Sequence, residues 1–336
     1  MFAVIDLSNL FHRARYVALG EPALAVQIIF RSLRKLYREF RISHMVFAVD
    51  HGSWRSQVYP AYKSRRDRDL TLREQREQAQ SFQTLDALQA YLAAQTRCTV
   101  LREREVEGDD FVARWIARHP NDEHLIVSSD SDFVQLIADK VRIYDAINQR
   151  VLSREMIVDD RGRNLAFAVS PKDGKIRVGE PDGNFVPEPE WWRKALFIKL
   201  VRGDAGDSIF SAFPGVRYEG KKCSIRAAWE DRVEQGYDWN NLMFQTWDIL
   251  LETGGSRQVR VLDQFRLNEH LIDLTKQPAP IMQAMDATID HAISRPPIKQ
   301  VGMYFLRFCD QLDLPLLAKE AGDHVAYLNI GYTSNK

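Results

Sequence analysis

The sequence predicts an α/β protein built on a parallel sheet. Short apolar runs alternate with amphipathic, helix-like segments, and this alternation is typical of parallel strands joined by helical crossovers. The predicted strands lie at 2–5, 44–49, 98–101, 124–127 and 141–144. Acidic residues follow most of these strands. Because ligands bind at the carboxyl ends of strands in such sheets, we expect the acids to form one site.

Composition limits the broad class of protein. The chain has 336 residues, with 46 Lys plus Arg against 46 Asp plus Glu, so its net charge is zero. This length favours one large domain or two unequal ones. Cys98, Cys223 and Cys309 show neither disulfide nor zinc spacing, which favours a reducing cytoplasm. We expect neither export nor a membrane span, because no signal peptide or long apolar run is found.

The first two predicted strands each end in a carboxylate, Asp6 and Asp50. Between them, Pro22 begins a predicted amphipathic helix that runs to about residue 41. A single Asp after a strand is more often a helix cap than a ligand. Residues 51–80 then contain few aliphatic side chains and many Arg, Gln and Glu, so this segment is either disordered or functional.

The densest acidic motif is Glu107-Gly108-Asp109-Asp110, at the start of a predicted helix after the third strand. The fourth strand leads to residues 128–132 (SSDSD), where Ser129 or Asp130 can cap the next helix. Clustered carboxylates repel one another unless a cation joins them, and a divalent metal is the simplest such cation.

The second half is predicted from turns and helix patterns. Residues 159–189 predict a loop or hairpin with extended segments at 165–169 and 175–178. A helix over 191–201 leads to Asp204 and Asp207, which would share a helical face if a new turn has begun. A glycine-containing basic turn at 213–222 then joins two helices and could hold phosphodiesters, and the pattern from 240 to 336 is helical.

Taken in order, these motifs resemble the 5' nuclease superfamily of flap endonucleases and 5'-3' exonucleases. The resemblance covers about residues 1–230 and, by length and layout, is strongest to the T-even bacteriophage ribonuclease H. The segments that carry it are 4–6 (VID), 47–50 (FAVD), 59–66 (YPAYKSRR), 107–110 (EGDD), 130–132 (DSD) and 203–207 (GDAGD), followed by 213–216 (FPGV).

The resemblance implies two Mg²⁺ ions, for which Mn²⁺ could substitute. Asp6, Asp50, Glu107 and Asp109 would surround the first ion. Asp130, Asp132 and Asp207 would surround the second, with Asp110 and Asp204 as nearby or outer members.

The resemblance also implies three regions. Residues 1–190 would be the nuclease core, with a helical arch at 54–95. Residues 191–240 would form a helix-two-turns-helix that grips duplex DNA, and 241–336 a helical C-terminal region.

The implied nucleic-acid contacts lie in the first two of these regions. Lys63 and Arg66 would contact the scissile phosphate, Tyr62 would stack on a base, and Arg65 and Arg73 would add positive charge. In the second region the contacts are Gly215, Arg217, Gly220, Lys221 and Lys222. Arg217 replaces a glycine of the family pattern, which leaves open the K⁺ site that some relatives form there.

The expected activity is that of a metal-dependent 5'-3' exonuclease and flap endonuclease with ribonuclease H activity, which removes RNA primers and 5' flaps during replication. The expected partners are flap DNA or RNA-DNA hybrid, with a single-stranded-DNA-binding protein or sliding clamp left open, and the protein is expected to be a monomer. Two alternatives remain: a cleavage-inactive protein that binds branched DNA, and a PIN-type ribonuclease.

Overall fold

The computed structural model of the chain describes residues 1–64, 71–220, 223–250 and 255–334. Its centre is a seven-stranded sheet in the order β3-β2-β1-β4-β5-β6-β7. The strands are β1 (Phe2–Asp6), β2 (His44–Ala48), β3 (Thr99–Leu101), β4 (His124–Val127), β5 (Val141–Asp145), β6 (Arg150–Leu152) and β7 (Ile157–Asp159). The pairs among β1 to β5 are parallel, whereas β6 and β7 pair antiparallel at one edge. The predicted parallel-sheet fold is therefore confirmed.

Helices cover both faces of this sheet. Those in the first half are α1 (Leu7–Val17), α2 (Pro22–Phe40), α3 (Arg55–Val58), α4 (Leu72–Gln95) and α5 (Gly108–Arg118), together with a 3₁₀ helix (Ser131–Leu136). The later helices are α6 (Trp191–Arg202), α7 (Ile225–Gln235), α8 (Val261–Ile272), α9 (Ala279–Ile293), α10 (Val301–Gln311), α11 (Pro315–Lys319) and α12 (Ala321–Leu328).

Strand periodicity divides the interior into two cores. Alternate side chains of β1 point to opposite faces, so Ala3 and Ile5 enter one core while Phe2 and Val4 enter the other. The first core contains buried side chains of α1, α2, α4, α10 and α12. The second contains those of α5 and α9. Helices from the last hundred residues thus complete both cores of the sheet.

A third core lies beside the sheet, among α6, α7 and α8. Asn268 of α8 ties it together, because its amide donates to the carbonyls of Leu200 and Phe210 at 2.8 and 2.9 Å. Tyr62 also packs into this third core and so attaches the segment before α4 to it.

Two hairpins complete the chain. Strands β8 (Leu165–Val169) and β9 (Ile176–Pro181) form an antiparallel pair, which confirms the hairpin predicted at 165–169 and 175–178. Strands β10 (Thr246–Leu250) and β11 (Ser256–Arg260) form the second. The prediction of helix from residue 240 onward is wrong for this second hairpin. Its two strands form backbone hydrogen bonds with each other, and α8 begins only after them.

Phe2 and the segment 330–332 meet at the amino edge of the sheet. The ring of Phe2 lies 6.0 Å from that of Tyr332 and 5.7 Å from that of His124. His44 hydrogen-bonds to the Ile330 carbonyl at 3.1 Å and to the Thr99 hydroxyl at 2.8 Å. The C-terminal segment therefore closes this edge, on the side opposite the carboxyl ends of the parallel strands. No helix in the described part of the chain has the length and apolar character needed to cross a membrane.

Candidate active site

The carboxyl ends of the parallel strands hold most of the predicted acids. Asp6 ends β1 and caps α1, where its Oδ1 accepts from the Asn9 amide at 3.0 Å. Its other oxygen accepts from the Ser128 hydroxyl at 3.2 Å. Asp50 follows β2, and its Oδ1 accepts from the Gly108 amide at 2.7 Å. Asp6 can thus cap α1 with one oxygen and still belong to the acidic site.

Burial and neighbouring carboxylates raise the pKa of Asp6 and of Asp109. Burial raises the pKa of Asp6 to about 7, with Asp50 and Asp130 adding to the effect. The pKa of Asp109 also lies well above its usual range, because of burial and then the charges of Asp6, Asp130, Asp50 and Glu107. These carboxylates, contributed by β1, β2, β4 and the start of α5, therefore form one electrostatic cluster. A divalent cation fits them, because it would favour their charged forms with the oxygen ligands it prefers.

A second acidic group lies next to the first. Ligand atoms of Asp132, Asp204 and Asp207 all lie within 4.8 Å of one another. Asp132 lies in the first turn of the 3₁₀ helix, which Asp130 caps by accepting from the Asp132 amide at 3.0 Å. The pKa of Asp130 is raised by burial and by the charge of Asp132, so the two groups interact.

Asp204 and Asp207 do not share a helical face as the spacing predicted. A tight turn holds them instead, in which Asp204 and Ile209 exchange backbone hydrogen bonds of 3.0 and 2.8 Å. The Asp204 carboxylate accepts from the Gly206 amide at 2.8 Å. Gly203 makes the turn possible, because it has φ +72° and a Cβ there would lie 2.4 Å from the Ile209 carbonyl oxygen.

Lys199 is a site residue that the sequence reasoning missed. Lys199 is 9% exposed, and its ammonium pairs with Asp132 and lies 2.7 Å from Asp204. Burial would lower the pKa of Lys199, but the two carboxylates outweigh burial and raise it. The signal was present, because Lys199 interrupts the apolar run 195–201 of α6 (ALFIKLV), where a lone cation needs a buried partner.

Glu107 is held by three side chains from the segment before α4. Arg55 donates to its carboxylate at 2.7 Å, Tyr62 donates at 3.1 Å, and Lys63 pairs with it directly. Burial would raise the pKa of Glu107, but Lys63 and Arg55 outweigh burial and hold the pKa below its ordinary value. Glu107 is thus ionised and fixed in position.

Asp110 lies behind Glu107, and Arg55 joins the two carboxylates. Asp110 is fully buried, and its carboxylate accepts from Arg55 at 2.8 and 2.9 Å and from the Trp54 indole at 3.0 Å, so its role as an outer member of the metal site stays a prediction. The prediction that Tyr62 stacks on a base is corrected, because Tyr62 is only 7% exposed. It is covered by the third core and Glu107 rather than available to stack on a base.

The remaining predicted contacts divide between described and undescribed residues. Gly215, Arg217 and Gly220 line a groove of about 480 Å³ that precedes α7. Lys221 and Lys222, like Arg65 and Arg66, lie outside the described residues, and so does the side chain of Arg73. The helix α4 is exposed over residues 75–80, and from Ser81 its inner face packs into the first core.

Comparison with known proteins agrees with this site. A family model described as the 5'-3' exonuclease N-terminal resolvase-like domain matches residues 1–162. Flap endonuclease Xni of Shewanella loihica is 27% identical over 192 residues, which cover 55% of this chain and 70% of the relative. DNA polymerase I of Treponema pallidum is 29% identical over 153 residues, which cover 42% of this chain and 14% of the polymerase. The flap endonuclease Xni of Aeromonas salmonicida is 30% identical over 174 residues, which cover 47% of this chain and 61% of that protein.

Solved structures show the same fold over nearly the whole chain. The bacteriophage T5 D15 protein, crystallised with metal ions, matches with a TM-score of 0.54 and 18% identity, over 96% of this chain and 98% of that one. A complex of a variant T5 D15 flap endonuclease with DNA and metal ions matches with a TM-score of 0.53 and 17% identity, over 97% and 99% of the two chains. The ordered motifs, the strand-end acids and these similarities agree: residues 1–162 match the 5'-3' exonuclease N-terminal domain, and nearly the whole chain is similar in fold to the T5 D15 structures.

Proposed function

We propose that the protein is a divalent-metal-dependent nuclease that cleaves nucleic acid from its 5' end, as a 5'-3' exonuclease and flap endonuclease. The observation that carries this proposal is the convergence of two acidic groups at one sheet edge. Asp6, Asp50, Asp109 and Asp130 interact as one cluster, and Asp132, Asp204 and Asp207 lie beside them. Mg²⁺ is the proposed metal, because every candidate ligand is an oxygen atom.

The chain's own residues would bind and orient the scissile phosphate. Bound metal would supply an activated water and stabilise charge on the phosphate oxygens. Lys63 would contact that phosphate, and the contact of its ammonium with Glu107, at the edge of the acidic cluster, supports this role. Arg55, 2% exposed, holds the other oxygen of Glu107 at 2.7 Å, so this carboxylate would stay in position when Lys63 turns to the phosphate.

Substrate choice is the finer part of the proposal. Arg65, Arg66 and Arg73 would add positive charge to an arch at 54–95, through which a 5' single strand passes. The turn at 213–222 would grip duplex DNA. We propose that RNA primers in RNA-DNA hybrids and short 5' flaps are the substrates, and that a single-stranded-DNA-binding protein or sliding clamp recruits the enzyme.

A direct assay tests this function. The purified protein, freed of metal by a chelator, is incubated with matched 5'-labelled flap, nicked and RNA-primed substrates while Mg²⁺ is titrated. We expect Mg²⁺-dependent release of one or a few nucleotides. Asp109→Asn and Asp132→Asn should abolish cleavage and keep most of the binding to branched DNA, whereas Asp160→Asn, an exposed acid outside the site, should cleave normally.

Two other outcomes would support the alternatives. Tight binding of branched DNA with no cleavage at any Mg²⁺ concentration would indicate a structure-selective binding protein. Cleavage confined to single-stranded RNA would indicate a PIN-type ribonuclease. Full activity of Asp109→Asn or Asp132→Asn would contradict the metal-ligand assignment.

A further inference from the structure

A basic cleft of about 310 Å³ opens beside Asp130. Its lining comes from α1, from the loop between β4 and the 3₁₀ helix, from the β5–β6 turn and from β9. The charged side chains of the cleft are Arg13, Arg150, Lys175, Arg177, Asp130 and Asp145. None of the four cations is among the residues that the family motifs supplied.

The cleft carries an excess of positive charge. Arg150 pairs with the buried Asp145 at 3.1 Å, and Arg177 pairs with Asp173 at 2.7 Å. Arg13 donates to the Ser129 hydroxyl. Lys175 is exposed and forms no salt bridge with any residue that the structure describes. Once metal neutralises Asp130, the charges of Arg13 and Lys175 remain available for an anion.

Backbone geometry directs two of these cations to the same place. Lys175 precedes β9 and Arg177 is two positions further along it, so strand periodicity puts both side chains on one face. The pairing of β9 with β8 holds that face in position, with Ile176 opposite Val169. The cationic wall of the cleft is therefore part of a hairpin rather than a free tail.

Sheet order places the cleft at one end of the row of acids. Along the carboxyl edge, Asp50 follows β2, Asp6 ends β1 and Asp130 follows β4. Lys63 contacts Glu107, which follows β3 at one end of this row. The cleft lies at the other end, beside the carboxyl end of β5 and the start of β6. Since neighbouring strands lie about 4.8 Å apart, a few nucleotides of a strand could reach from Lys63 across the acids to the cleft.

We propose that this cleft binds a backbone phosphate of the cleaved strand, next to the scissile phosphate and on the side away from Lys63. The inference rests on the proposed nuclease function. Cations and a hydroxyl line the cleft, and such donors recognise phosphate oxygens without reading the base. The cleft would fix the register of the strand, and so the number of nucleotides released.

A matched pair of variants tests the proposal. Lys175→Ser removes a cation from the cleft, whereas Lys172→Ser removes an exposed lysine of the same hairpin that does not line the cleft. Flap substrates with one neutral methylphosphonate linkage at successive positions around the cleavage site are bound and cleaved by each protein. One neutral position should weaken binding of the wild type and of Lys172→Ser by roughly two- to fivefold, the range for an exposed ion pair.

Lys175→Ser should bind the unmodified substrate more weakly by the same factor. The neutral linkage at that one position should then cause no further loss of binding to this variant. For this variant, the slope of the logarithm of the binding constant against the logarithm of the salt concentration should also be shallower by about one unit, as for the loss of one phosphate contact. Equal sensitivity of Lys175→Ser and Lys172→Ser at every position would overturn the proposal.

These results are separable from a failure of the nuclease function. If the wild type cleaves no substrate with metal present, the proposed function is wrong, and the binding series still tests the cleft. If the wild type cleaves but the two lysine variants behave alike, only the cleft assignment is wrong.

Discussion

Arg55 holds Asp110 through two parallel hydrogen bonds of 2.8 and 2.9 Å, and the same guanidinium donates to Glu107 at 2.7 Å. Its Nε donates to the Leu271 carbonyl at 2.7 Å, at the end of α8. One buried side chain thus joins α5, the candidate metal cluster and the C-terminal helices. Its charge is satisfied only while both carboxylates are present.

Asp109 and Asp110 should therefore respond in opposite ways to the same substitution. Asp110→Asn breaks a buried ion pair and should lower the free energy of unfolding by about 3–5 kcal/mol. Asp109→Asn relieves repulsion among carboxylates and should leave the metal-free protein as stable or more stable, while it abolishes cleavage. Thermal melts of metal-free protein, with a cleavage assay beside them, measure both effects. Equal destabilisation by the two changes would contradict the separate roles.

Lys199 is expected to act as an internal counter-ion for Asp132, Asp204 and Asp207. Lys199→Gln leaves these acids without it, so the metal-free protein should lose stability and gain more from added Mg²⁺ than the wild type does. The rise in Tm between chelator and saturating Mg²⁺ is the measurement. Lys194→Gln is a suitable control, because that lysine of α6 pairs with Glu188 outside the site. An unchanged Mg²⁺ increment in Lys199→Gln would show that the lysine does not offset the acidic charge.

Gly108 is expected to be required for the position of Asp50. A Cβ at this residue would lie 3.1 Å from Asp50 Oδ1, which also accepts the Gly108 amide hydrogen. Gly108→Ala should push that carboxylate aside, so more Mg²⁺ would be needed for half-maximal cleavage while Tm changes by only a few degrees. Gly183→Ala, where a Cβ meets nothing within 4 Å, serves as the control. A normal Mg²⁺ requirement in Gly108→Ala would mean that Asp50 is not a ligand in this position.

The buried histidines at the amino edge of the sheet predict sensitivity to acid. Burial lowers the pKa of His44 and of His124 to about 4. An unfolded chain has the ordinary value of about 6.5, so between these values it binds more protons than the folded protein does, and stability falls as pH falls. The Tm of His124→Leu should therefore fall less than that of the wild type between pH 7 and pH 5.

The raised pKa of Asp6, about 7, acts in the opposite direction in metal-free protein, because the folded state then binds the extra proton. Comparison of His124→Leu with the wild type cancels that contribution, since both proteins keep Asp6. Parallel Tm curves for the two proteins would contradict the histidine account.

The sequence predicted the strand-end acids well because chain order and parallel topology together determine where strand ends meet. It could not assign Asp110, because Asp109 and Asp110 are neighbours whose side chains diverge by about 100° on a helix, and only packing decides which one faces Arg55. The interpretation of Tyr62 as a stacking residue failed for a similar reason. Its hydroxyl reaches Glu107, from a distant segment, and sequence distance does not reveal that contact.

The meeting of Phe2 and Tyr332 has a practical consequence for engineering. Because residues 1 and 334 lie at the edge of the sheet opposite the acids, a short linker between them should produce a circular permutant that retains the nuclease site. New termini could open at the exposed turn around Gly162, where an added Cβ meets no atom within 4 Å. Such a rearranged chain would allow a label or surface anchor to be attached away from the path of the nucleic acid.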